Sequence, residues 1–117
     1  MKTVLLIEPD ADSARTYAET LRRAGFHVET MSGDDDEKQD VAPDLVVLSV
    51  PRVERSLLRV LARGRPVPRI ALSSEASDAT RAMDFDCAGI LIRPVMYDDL
   101  VTLVRRVLKE TAAVQPV

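Results

Sequence analysis

Apolar residues along the chain occur in two patterns, short unbroken runs and runs spaced by three or four, and these predict strands and helices respectively. The run TVLLIE at 3–8 is leucine-rich and β-branched and too short for a helix, so it reads as a strand buried on both faces. Residues 10–25, DADSARTYAETLRRAG, place Ala14, Tyr17, Ala18 and Leu21 at helical spacing. Asp10 or Asp12 can cap that helix, and Gly25 stands where a helix end favours a left-handed residue. FHVETM at 26–31 alternates apolar and polar, as in an edge strand with one drier face. Further strands are expected in LVVLSV (45–50), VPRIALSS (67–74) and GILIRP (89–94). In RVERSLLRVLARG (52–64), Val53, Leu57, Val60 and Leu61 share a helical face and Gly64 closes it. EASDATRAMDFDCAG (75–89) reads as a short helix. YDDLVTLVRRVLKE (97–110) carries the cleanest stripe, Leu100, Leu103, Val104, Val107 and Leu108.

Two stretches break the pattern. SGDDDEKQDVAPD (32–44) is acidic and poorly amphipathic, so the second crossover is expected to hold a loop or a shortened helix. TAAVQPV (111–117) has no periodicity and reads as a frayed end or the start of a linker, which leaves residues 1–110 as one domain. Strands alternating with helices predict an α/β fold, a doubly wound five-stranded parallel sheet with right-handed crossovers. The working end of such a sheet lies beyond the carboxyl ends of its strands. That singles out Glu8, Pro9 and Asp10 after the first strand, Ser49 after the third, Ser73 after the fourth and Arg93 after the fifth.

Bulk properties narrow the functional classes. With 46% hydrophobic and 30% charged residues, the 117-residue chain has the balance of a globular domain rather than a disordered one. The net charge of −3 supplies no basic field for nucleic acid, so nucleic acid is not expected as a partner of this domain. VLLI is too short to span a membrane and lacks a signal-peptide setting. A single cysteine forms no internal disulfide and suits a reducing compartment, so a cytoplasmic location is expected.

Most familiar chemistries find no residues here. Glycines 25, 33, 64 and 89 are scattered, so neither a dinucleotide fingerprint nor a phosphate-binding loop exists, and no cluster has zinc spacing. His27, the only histidine, falls on the edge strand and toward the opposite end of the sheet from Ser49, which rules against a Ser–His catalytic pair. Cys87 reads as a buried packing thiol, and Tyr17 and Phe26 as core. No catalytic residue, metal or cofactor is expected, and no enzyme activity. Arg52, Arg55, Arg59 and Arg63 recur within roughly 80° of helical arc. They form an ordinary solvated helix face, a docking stripe for an acidic partner or, least favoured, one for a phosphate backbone.

VLLIEPDADSARTYAETLRRAGFHV, PDLVVLSV, PVPRIALSS and GILIRPVMYDDL, in this order and spacing, resemble the receiver domain of bacterial two-component response regulators over residues 2–110. The resemblance implies a flavodoxin-like sheet of strand order 2-1-3-4-5 and a cis bond between Arg93 and Pro94. Receivers accept a phosphoryl group on an aspartate at the end of the third strand. They use a divalent metal held by carboxylates of the first loop, a Ser or Thr after the fourth strand and a Lys before a proline after the fifth.

Against that pattern, Glu8 and Ser73 are acceptable, but Pro9 stands at a metal-ligand position and Asp10 is one residue late. Ser49 occupies the acceptor position, Arg93 replaces the lysine, and Ile90 stands where many receivers carry an aromatic reporter. Serine forms no acyl phosphate, and too few carboxylates remain for a hard divalent cation. Arg93 either lies over the strand ends with its head in water or clamps Glu8 in a bidentate pair. These departures point to a phosphorylation-independent pseudo-receiver, a protein–protein interaction module in signal transduction. The competing readings are an atypical receiver that still takes phosphate, and the N-terminal regulatory domain of a longer transcription factor or enzyme. The resemblance also implies that a homodimer would use the face of the fourth helix, fifth strand and fifth helix.

Overall fold

The computed structural model describes residues 1–31, 42–49, 67–73 and 87–114. Five strands, β1 (Thr3–Ile7), β2 (His27–Met31), β3 (Leu45–Ser49), β4 (Arg69–Ser73) and β5 (Gly89–Ile92), form one sheet of order β2-β1-β3-β4-β5. Every neighbouring pair is parallel. This is the flavodoxin-like topology expected above. The two described helices are α1 (Ala11–Arg23) and α2 (Tyr97–Val114). Residues 32–41 of the second crossover, the expected helices at 52–64 and 75–89, and the arginines at 52, 55, 59 and 63 lie outside the described residues, apart from Cys87 to Gly89.

Strand alternation divides the core between the two faces of the sheet. Val4 and Leu6 of β1, Leu45 and Val47 of β3, and Ile70 and Leu72 of β4 pack with Tyr17, Ala18 and Leu21 of α1 and with Leu100, Leu103, Val104 and Val107 of α2. The intervening residues Leu5, Ile7, Met31, Val46, Leu48 and Ala71 form a second buried cluster, against which Cys87 and Ile90 are partly buried. Cys87 is therefore half-buried rather than the buried thiol expected from the sequence. Burial of both faces explains why β1 and β3 are continuous apolar runs while the edge strand β2 alternates.

Local chemistry fixes the element ends. Asp10 caps α1, its Oδ2 accepting from the backbone N–H of Ser13 at 3.0 Å. Gly25 follows α1 at φ 101°, a left-handed conformation open to glycine at little cost. Asp44 Oδ2 accepts from the N–H of Thr3 at 2.8 Å, tying the approach to β3 to the start of β1. The helix expected over 97–110 continues to Val114, so Thr111, Ala112 and Ala113 extend α2 instead of fraying. None of these residues breaks a helix, and the next proline is Pro116.

Candidate functional site

Glu8 follows β1 directly, Ser49 and Ser73 end β3 and β4, and Arg93 follows β5, so all four gather at the carboxyl edge of the sheet. Strand parity sorts them further. Glu8 continues the alternation of Val4 and Leu6, and Ser49 that of Leu45 and Val47, placing both on the face covered by α1 and α2. Arg93 continues the alternation of Leu91 and joins them. Ser73 continues that of Ala71 and belongs to the opposite face.

The hydrogen bonds follow this division. Arg93 Nη2 donates to Glu8 Oε1 at 3.0 Å and to Ser49 Oγ at 2.6 Å. Glu8 is only 5% exposed, and its other oxygen, Oε2, accepts from the Asp10 N–H at 3.4 Å. A carboxylate buried this deeply requires a compensating cation and donors, and Arg93 together with the Asp10 backbone provides both. Of the two outcomes open from the sequence, Arg93 takes the pair with Glu8, and the same Nη2 also donates to Ser49. The reason is positional: Ser49 ends a strand adjacent to β1 and shares its face with Glu8, so one Nη2 reaches both acceptors.

The remaining candidates are placed elsewhere. Ser73 is fully buried, and its Oγ has no hydrogen-bond partner among the described residues. Its backbone carbonyl accepts from the Arg93 N–H at 2.7 Å. Pro9 is exposed. The Asp10 carboxylate is directed onto α1, accepting from Ser13 Oγ at 2.6 Å as well as from the Ser13 backbone. Those Ser13 bonds, side chain first, hold its carboxyl below the ordinary value of 3.8, with a smaller contribution from the charge of Arg93. His27 bonds Glu29 Oε1 at 2.7 Å at the start of β2, the end of the sheet remote from Ser49. The peptide bond between Arg93 and Pro94 is cis. The capping role of Asp10 was open to reading, since an aspartate three residues before a serine at a helix start is a recurrent cap. The separation of Ser73 was open to reading from strand parity.

The divalent cation implied by the receiver resemblance does not fit this set of donors. Glu8 is held by a guanidinium, Pro9 has no side-chain donor, Asp10 caps a helix, and Ser49 is a neutral hydroxyl bonded to Arg93. A dication about 4 Å from the guanidinium would meet a repulsion of about 8 kcal/mol at an effective dielectric near 20. The tethered cation and a metal ion would compete for the same carboxylate.

No family model matches the sequence, and no curated protein matches it. Solved structures do. The chain is similar to a response regulator receiver domain protein from Clostridium thermocellum, with a TM-score of 0.80 at 16% identity over 98% of this chain and 100% of that one. The non-phosphorylated HemR receiver domain from Leptospira biflexa superposes with a TM-score of 0.74 at 20% identity, covering 92% of this chain and 94% of that one. NtrX from Brucella abortus, in complex with ATP, gives 0.82 at 20% identity over 96% of this chain, which spans 28% of the NtrX chain. The chain has the receiver fold. At these identities the likeness extends to the fold alone.

Proposed function

We propose that this chain is a phosphorylation-independent pseudo-receiver, a non-enzymatic interaction module that regulates signal transduction through protein partners. The observation that carries the reading is the shared hydrogen bonding of Arg93 Nη2 to Glu8 and Ser49. In a receiver those three positions serve the metal, the acceptor and the phosphoryl group. Here they satisfy one another, and a buried charge pair with an added hydroxyl is a self-contained structural unit. Phosphoryl transfer to an aspartate also needs that aspartate in the acceptor position, where this chain has a buried serine. The three receiver-fold neighbours support a place in signalling, and the residues at the strand ends support independence from phosphate.

The reading is tested by incubating the protein with a small phosphodonor and magnesium, followed by intact mass analysis beside an active receiver. We expect the control to gain a phosphoryl group and this chain to remain unmodified. A phosphoryl group gained by this chain and released by hydroxylamine would overturn the proposal.

A further inference from the structure

β2 lies at one edge of the sheet, so one side of its backbone faces away from any neighbouring strand of the sheet. Its hydrogen bonds show which residues turn that way. The His27 N–H donates to the Lys2 carbonyl at 3.0 Å, and the Met31 carbonyl accepts from the Glu8 N–H at 2.9 Å. Along a parallel ladder a residue turns both backbone groups to one side, and the next residue turns both to the other. His27, Glu29 and Met31 therefore face β1, while Val28 and Thr30 face outward. A groove of about 420 Å³ runs between α1 and this outer side of β2. Ala14 and Ala18, whose small side chains leave it open, line it together with Arg22 and Thr30.

Outward N–H and C=O groups on an edge strand are a template for another strand. Here Arg22 intervenes. It stands one turn after Ala18 on the flank of α1 that lines the groove, and its Nη2 donates to the Val28 carbonyl at 3.0 Å. Without that contact the edge is complementary to its own copy. Two β2 strands related by a two-fold axis at Val28 run antiparallel, each Val28 N–H donating to the Val28 carbonyl of the other copy. That register sets His27 against Glu29 of the other copy, twice, and these two side chains already bond each other within one strand at 2.7 Å. A register centred on Glu29 would instead oppose two carboxylates, which disfavours it.

We propose that Arg22 closes the β2 edge against a second copy of this chain, by holding the carbonyl on which two-fold strand pairing depends. The contact is inhibitory and local. An arriving strand must displace the guanidinium on both copies and leave each charge beside the new hydrogen bonds. One hydrogen bond from a charged donor shifts an equilibrium about tenfold, so the two broken together shift it about a hundredfold. The chain thus carries both a self-pairing edge and the residue that masks it.

The test is sedimentation velocity of the whole chain over a concentration series, unaltered and as Arg22→Ala. Arg23→Ala, which removes the neighbouring charge about 100° round the helix, is the control. Arg22 is exposed and alanine favours a helix, so the substitution preserves α1, and circular dichroism establishes that each variant is folded. Arg22→Ala is expected to self-associate about a hundredfold more tightly than the unaltered chain, and Arg23→Ala to match the unaltered chain. In Arg22→Ala the Val28 amide should exchange with solvent more slowly as concentration rises, because it becomes a donor across the two-fold axis. Adding Glu29→Lys should take back about tenfold of the gain, since a lysine then opposes His27. Association of Arg22→Ala no tighter than that of the unaltered chain, or an equal gain in Arg23→Ala, would overturn the proposal. So would Val28 exchange independent of concentration, or association indifferent to Glu29→Lys.

Discussion

Arg93 holds two acceptors with one nitrogen, and the consequences of removing it differ from those of removing the whole pair. Arg93→Met leaves Glu8 buried with its Oε1 stripped of this donor, at a cost of up to about 3–5 kcal/mol by analogy with broken buried ion pairs. Adding Glu8→Gln removes the stranded charge and should recover more than half of that loss. Urea midpoints at neutral pH check both, and a double variant no more stable than the single would contradict the account. Asp10 gives a second prediction. The Ser13 bonds lower its folded pKa, so its contribution to stability is fully present above the unfolded value of 3.8 and is lost as pH falls through the lower folded value. Carboxyl-carbon NMR should place its midpoint below 3.8, and Ser13→Ala should raise it, because the side-chain bond is the largest cause. The association of Arg93 with Glu8 was legible in the sequence as one of two outcomes, since both follow strands of one parallel sheet. The inclusion of Ser49 was not, because it depends on which faces β1, β3 and β5 present at their ends.

Elements were more legible than contacts. The uninterrupted runs of β1 and β3, the alternation of β2 and the stripe of α2 each follow from burial on two faces, one face and one side respectively. Ends were less so. The extension of α2 to Val114 shows that absence of periodicity does not stop a helix when the residues still favour one. Close approaches were hidden altogether. A Cβ at Gly89 would come within 2.9 Å of Leu103 Cδ2, a contact set by how α2 lies on β5. Gly25 differs, since the space around it is open and only its φ of 101° demands glycine. Gly25→Ala should therefore cost about 1–2 kcal/mol from backbone strain. Its urea midpoint should fall, and unaltered stability would contradict the backbone argument.

For the molecule as a whole, local patterns predicted a parallel α/β sheet, and the strand order came from the receiver resemblance rather than from periodicity. The observed β2-β1-β3-β4-β5 order agrees with that resemblance. It brings Glu8, Ser49 and Arg93 to one edge although they are far apart in sequence. A phosphoryl switch shifts a conformational equilibrium only through its differential affinity for the two states, and on the proposed reading this chain takes no such ligand. The proposed module is accordingly constitutive, its specificity set by exposed side chains. The most direct measurement is a titration of magnesium, then magnesium with fluoroberyllate, followed through the amide resonances of Glu8, Asp10, Ser49, Ser73 and Arg93. The account predicts no saturable shift at these residues up to millimolar metal, and the appearance of metal binding in Arg93→Met with Pro9→Asp and Ser49→Asp. Saturable shifts confined to these residues in the unaltered chain would contradict it.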